Sequence, residues 1–186
     1  MAKVSDISKG TFVRYNGDLA TVLEYEHRTP GNLRAFYQVK FRNLKTGKLI
    51  EQRFRPDEDI EICRIMSRPQ QFLYSDGASI VCMDPETFDQ FNLPNEFLGE
   101  SLKFLKEGVM IQVSFENDEA VYAEPPASIE LEITYTEPGL KGDTATRTLK
   151  PATVETGAEV RIPLFLNTGD RIKINGLTGE YMERVK

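Results

Sequence analysis

Apolar side chains recur at every second position through most of this chain, the spacing of strands that bury one face. In 34–42, Ala35, Tyr37, Val39 and Phe41 share a face, and similar alternation marks 11–15, 20–27 and 49–55. Asn16-Gly17 ends the first of these segments, a dipeptide suited to the positive φ of a tight hairpin. Lys45-Thr46-Gly47-Lys48 turns the chain again before 49–55. Together these segments predict a small SH3-like, barrel-like meander over 1–64.

The next stretch mixes periods. Segments 71–74 and 79–83 read as strands around Ser75-Asp76-Gly77. Asp84-Pro85-Glu86-Thr87 has the form of an N-cap with proline at the first helical position, which predicts a short helix running to Phe91. Phe97, Leu98, Leu102 and Leu105 recur at helical spacing, so a helix is expected over 95–108, stopped by Gly108. Strands resume at 109–115 and 120–123. Glu124-Pro125-Pro126-Ala127 is either a stiff hinge or the start of a strand. Beyond it, strands are expected over 129–135, 147–154, 159–166 and 171–175, with a terminal segment over 179–185 and a turn-rich loop at 136–145. Strands with few helices suggest a small Greek-key barrel, an OB-fold, over 128–186. The chain is thus all-β, divided as 1–64, 65–127 and 128–186. Pieces this small bury little surface, so they are expected to brace one another.

Charge sharpens the division. The 186 residues carry 23 basic and 29 acidic side chains, a net −6 with a pI near 5.0. Residues 1–64 hold 12 basic and 9 acidic groups (+3), 65–127 hold 3 and 11 (−8), and 128–186 hold 8 and 9 (−1). An acidic whole normally argues against nucleic-acid binding. Here it says only that the middle third does not embrace a phosphate backbone. No apolar run approaches the ~20 residues of a membrane span, and residues 1–9 lack the apolar stretch of a secretory signal, so a cytoplasmic location is expected. Two cysteines (Cys63, Cys82) and one histidine (His27) do not make a disulfide framework, a zinc site or a nucleophile–histidine pair. The thiols read as small buried hydrophobes and His27 as a strand-end residue. No catalytic group, metal site or cofactor is expected.

Among the motifs, Arg28-Thr29-Pro30-Gly31-Asn32-Leu33-Arg34 stands at a hairpin tip. Pro-Gly favours a type II turn, with positive φ at Gly31. As pattern, this is either an ordinary hairpin with charged shoulders or a probe for a cavity lined by RNA phosphates. The loop holding Gly139-Leu140-Lys141-Gly142-Asp143-Thr144 contains Gly-x-x-Gly. It lies between strands, however, whereas the KH clamp joins helices, and no Walker lysine follows. Asp57-Glu58-Asp59 and Glu116-Asn117-Asp118-Glu119 read as solvated turns, and neither fits an EF-hand. Most of the eighteen tyrosines and phenylalanines sit at alternating positions, where core packing is the ordinary role.

Several stretches together resemble the bacterial elongation factor P family along the whole chain. They are Pro30-Gly31 with Ala35-Phe36, Glu132-Ile133 with Thr136 and Pro138 through Ala145, and Lys150-Pro151-Ala152-Thr153 with Gly157-Ala158, Val160, Ile162 through Phe165 and Gly169. The terminal Gly179-Glu180-Tyr181, Arg184, Val185 and Lys186 also fit. The resemblance implies an SH3-like (KOW-type) domain and two OB-folds in an L-shape of transfer-RNA outline. It further implies a monomeric, non-enzymatic factor on the 70S ribosome, beside the peptidyl-tRNA between the peptidyl and exit sites, that relieves stalling at consecutive prolines. By the same resemblance, Arg28, Pro30, Gly31, Asn32, Leu33 and Arg34 form a finger toward the acceptor end of the peptidyl-tRNA. Gly142, Asp143 and Thr144 form a loop that approaches exit-site messenger RNA. The rival readings are an elongation-factor-P-like paralogue and a general single-stranded RNA-binding OB protein. One departure matters: many family members carry a modified lysine or arginine at the finger tip, and the aligned position here is Asn32. Asparagine cannot take those modifications through the usual nitrogen chemistry, so either the finger works unmodified, which is the expectation here, or Arg34 or another residue substitutes. Intact-mass measurement of protein from its native host should therefore give the unmodified mass, and added mass on the finger peptide would refute this.

Overall fold

A computed structural model describes residues 2–31, 34–138 and 149–185. Three curled antiparallel sheets follow one another along the chain. The first comprises β1 (Ala2–Lys3), β2 (Phe12–Tyr15), β3 (Asp18–Arg28), β4 (Phe36–Asn43), β5 (Leu49–Phe54) and β6 (Asp59–Ile62), in the order β1-β6-β2-β3-β4-β5. Asn16 and Gly17 both take positive φ (53° and 89°), as the β2–β3 hairpin requires. The Asp57-Glu58-Asp59 run is not wholly a turn, because Asp59 begins β6, which pairs with both β1 and β2. Val13, Ala20, Val22, Val39, Phe41, Phe54 and Ile60 are buried inside this sheet with Val4 and Ile7. The Phe41 ring stacks on Tyr15 at 5.1 Å and meets the edge of Phe54 at 5.9 Å. Each such fully buried side chain contributes about 1.5–3 kcal/mol.

The second sheet comprises β7 (Ile65–Ser75), β8 (Ser79–Met83), β9 (Gln90–Pro94), β10 (Met110–Glu116) and β11 (Glu119–Glu124), ordered β11-β10-β7-β8-β9. Both expected helices are corrected here. The Asp84 carboxylate accepts the N–H groups of Glu86 (2.8 Å) and Thr87 (3.2 Å), but the chain turns back and Gln90 pairs with Met83. An N-cap and an Asx turn begin with the same hydrogen bonds, and here pairing with β8 decides between them. In place of a helix over 95–108 there are two short 3₁₀ turns, Asn95–Phe97 and Gly99–Phe104, with Gly99 at φ 49°. Of the four residues in that spacing, Leu98 and Leu105 are buried and Phe97 and Leu102 only half-buried, while the buried Phe104 lay outside it, so the helical period misjudged the backbone and part of the core.

The third sheet comprises β12 (Ser128–Thr136), β13 (Leu149–Val154), β14 (Glu159–Pro163), β15 (Arg171–Asn175) and β16 (Tyr181–Arg184), ordered β14-β13-β12-β15-β16. Central β12 buries Ile129, Leu131 and Ile133. The expected alternation then breaks: the register shifts between Ile133 and Tyr135, leaving Tyr135 61 % exposed and burying Thr136. Strand 159–166 is shorter than expected, ending at Pro163.

These elements form two compact units. One is Met1–Ser67 with Ser114–Tyr122, and the other is Arg68–Val113 with Ala123–Lys186. In the first unit, Arg14 bridges Glu61 (3.3 Å) and Glu116 (2.6 Å), so Glu116 is a paired residue and not simply part of a solvated turn. In the second, the Phe104 ring lies against Gly179, where an added Cβ would fall 2.2 Å from the ring. An added Cβ at Gly176 would meet the Pro126 carbonyl oxygen at 1.9 Å. Backbone cannot swing aside as a side chain does, so Gly176→Ala should cost about 1–3 kcal/mol. This would be read as a lowered urea midpoint at unchanged m-value.

Candidate functional site

The expected finger is built by β3 and β4. Beyond Val22, β3 runs on against β4 past the end of β2 as far as the Arg28–Phe36 pair. A register shift between Val22 and Glu24 leaves Leu23 as an extra residue. Side chains alternate faces along a strand, so the bulge exchanges the two faces beyond it. Tyr25 and His27 thereby share a face with Tyr37 and Val39. The Tyr25 and Tyr37 rings stack at 5.0 Å, and His27 lies 4.7 Å from Tyr37 on its other side in sequence. The opposite face carries Glu24, Glu26, Arg28, Gln38 and Lys40, with Glu51 from β5. Lys40 pairs with Glu24 (3.1 Å), Arg28 with Glu26 (2.7 Å), and Gln38 donates to Glu51. Next to the tip, the Arg53 guanidinium sits 5.2 Å from the centre of the Phe36 ring.

At the tip, Pro30, Gly31 and Arg34 lie within the described residues, while Asn32 and Leu33 lie outside them. Gly31 does not have the positive φ expected of it, so a type II turn with Gly31 at its third position is excluded. Arg34 is exposed and, unlike Arg28, makes no ion pair with the described residues. The same holds for Arg42, Lys45 and Lys48. The positive excess of 1–64 is thus carried by guanidinium and ammonium groups that internal carboxylates leave free.

The second expected loop, Gly142, Asp143 and Thr144, also lies outside the described residues. Its stem is well defined. Thr136 Oγ1 donates to the Pro151 carbonyl (2.9 Å), and Lys150 Nζ, in a side chain only 7 % exposed, donates to the Glu137 carbonyl (2.7 Å). Sequence reasoning missed Lys150 and the Tyr25–Tyr37–His27 column. The odd-numbered aromatic spacing at 25 and 27 was a usable signal for the column, but it becomes legible only once the bulge is placed.

The remaining chemistry is muted. Cys63 and Cys82 are buried and free. Burial, reinforced by Glu116, pushes the Cys63 thiol up to about 11, and burial alone does the same at Cys82. Neither is a thiolate at neutral pH. Among the described residues, no group of three or more His, Cys, Asp or Glu side chains is placed to hold a metal ion. No helix among them is long and apolar enough to cross a membrane.

Three family models cover the chain in succession: the elongation factor P KOW-like domain over 3–60, the elongation factor P OB domain over 65–123, and the elongation factor P C-terminal domain over 129–184. The chain is 46 % identical over 187 residues to elongation factor P of Chloroherpeton thalassium, and equally so to that of Roseiflexus sp.. It is 44 % identical over 185 residues to that of Caldicellulosiruptor saccharolyticus. In each case the match covers 100 % of both chains. The chain belongs to the elongation factor P family. Membership makes it a translation elongation factor with KOW-like and OB domains. Two solved structures share the fold at lower identity. One is an initiation factor 5A from Methanococcus jannaschii (TM-score 0.51, 21 % identity, 67 % of this chain and 90 % of that one). The other is a factor 5A family protein from Naegleria fowleri (TM-score 0.51, 16 % identity, 66 % and 96 %).

The finger of this elongation factor P family member makes a titration prediction. Burial, then its partnership with Tyr37, pushes the Tyr25 phenol up to about 12. Because the folded-state value is raised, the neutral phenol's contribution is complete below about pH 10 and is lost as pH rises toward the folded value. Tyr37→Phe should lower the Tyr25 titration, followed by ring NMR shifts, only in part, because burial, the larger cause, remains.

Proposed function

We propose that this protein binds the ribosome between the peptidyl and exit sites and stimulates peptide-bond formation, relieving stalls at consecutive prolines by holding the peptidyl-tRNA in place. The observation that carries this reading is the β3–β4 finger, lined by stacked rings and ending in an exposed arginine that makes no ion pair with the described residues, together with a full-length family match. Proline is a rigid, poor nucleophile that also constrains the nascent chain, so the reacting groups are held badly. Fixing the acceptor end restores attack geometry, and positioning of this kind is worth several kcal/mol without any proton transfer by the factor. A stiff finger suits the task, since a support that bends does not fix what it touches.

In this reading Arg28, Pro30, Gly31, Asn32, Leu33 and Arg34 face the acceptor end, with Asn32 unmodified. Gly142, Asp143 and Thr144 face exit-site messenger RNA. The chain works as a cytoplasmic monomer, needs no cofactor and divides functionally at 64 and 127. Its free cations over 1–64 meet RNA phosphates, which predicts binding that weakens with salt.

A translation assay on a template encoding three consecutive prolines tests this. Wild-type protein should relieve the stall, and Arg34→Ala should lose most of the relief, about tenfold, while Arg42→Ala loses less. Equal relief by Arg34→Ala and wild type would remove the finger from the mechanism. Binding to free single-stranded oligonucleotides as tight as to ribosomes would favour the general RNA-binding alternative.

A further inference from the structure

The turn joining β8 to β9 holds a bulky side chain where one is least expected. Phe88 has φ 63° and is 69 % exposed. The left-handed region brings Cβ against the backbone, and ordinary turns give such positions to glycine or asparagine. An exposed ring offers the fold no burial in return. The turn itself is tightly built. Asp84 Oδ1 accepts from Glu86 and Thr87, its Oδ2 accepts from Gln70 Nε2 at 3.2 Å, and the Phe88 N–H donates to the Asp84 carbonyl at 2.9 Å. The Asp84 N–H in turn donates to the Asp89 carbonyl at 3.0 Å. Those hydrogen bonds hold the Asp84 carboxyl below its ordinary range. Phe88 is therefore displayed on a turn held by several hydrogen bonds, and backbone strain at an exposed position points to use by a partner.

We propose that the β8–β9 hairpin is a docking surface for a basic protein of the ribosome, with Phe88 as the anchor in an apolar pocket and Glu86 and Asp89 against lysines and arginines on its rim. This rests on the ribosomal reading above. RNA is disfavoured because Asp84, Glu86 and Asp89 flank Phe88 along the turn and 65–127 carries −8, which repels phosphates. Aromatic anchors carry a large share of interface energy, and a preformed turn lowers the ordering cost on binding. The carboxylates add attraction and orientation during encounter.

The test uses the full chain and salt-washed 70S ribosomes. Phe88→Gly should melt at a higher temperature than wild type, since the positive φ is then unstrained, yet bind at least about tenfold more weakly. Phe88→Tyr should retain binding, and Glu86→Gln with Asp89→Asn should slow association, most at low salt. A benzophenone photo-crosslinker at position 88 should give an adduct that survives ribonuclease and is lost to protease. Unchanged binding by Phe88→Gly, a crosslink to ribosomal RNA, or a joint fall in melting temperature and binding would each overturn the proposal. If wild-type protein does not bind ribosomes, the reading above fails and takes this one with it. If wild type binds and Phe88→Gly binds equally, this proposal alone fails.

Discussion

One extra residue in β3 decides what the finger is. The strand reaches Val22 with even-numbered side chains facing the core, and without Leu23 bulging out, Glu24, Glu26 and Arg28 would face the same way. The bulge sets half-buried Tyr25 and exposed His27 on the face of Tyr37 and sends the charges to the other face. A slip of one residue exchanges every later side chain, so the stacked column and the Glu24–Lys40 and Arg28–Glu26 pairs stand or fall together. The ion pairs are exposed and contribute little by themselves. Ring stacking contributes more, about 0.5–1.5 kcal/mol per pair beyond burial. The finger owes its stiffness to its aromatic face, and its charged face keeps that stiffness soluble.

Electrostatics divides the labour along the same chain. In the first unit the carboxylates are largely engaged locally: Asp59 with Lys3, Glu61 and Glu116 with Arg14, Glu24 with Lys40, Glu26 with Arg28. Arg34, Arg42, Lys45 and Lys48 stay exposed with no ion pair to the described residues, beside the exposed acids Asp57 and Glu58. The 65–127 stretch is the opposite, with three basic groups against eleven acidic ones. In the proposed reading, a protein of net −6 meets phosphate with one surface and basic protein with another, and its whole-chain pI describes neither.

The β3–β4 hairpin that carries the expected tip was legible in residue order, because Pro30-Gly31 sits between two alternating segments. The local geometry was not. Pro-Gly suggested positive φ at Gly31, yet the seven residues between Arg28 and Phe36 give the tip room to avoid it. Lys150 entered only as part of a family motif, and its burial against the Glu137 carbonyl depends on β13 lying beside β12. Phe88 gave no sign at all in a stretch that resembled the start of a helix.

Residue order by itself determined the all-β class, the Asn16-Gly17 hairpin, most strands of the three sheets, the burial of both thiols and the family. Each of these follows from alternation, turn chemistry or motif spacing, which are properties of neighbours along the chain. The tertiary structure alone decided the bulges at Leu23 and Thr134, the replacement of two expected helices by a hairpin and short 3₁₀ turns, and the exposure of Tyr135 and Phe88. The reason is physical: an Asx turn and a helix N-cap begin with the same hydrogen bonds, and a strand's register is set by the partner across the sheet. The choice between such local equals is made by contacts far away in sequence.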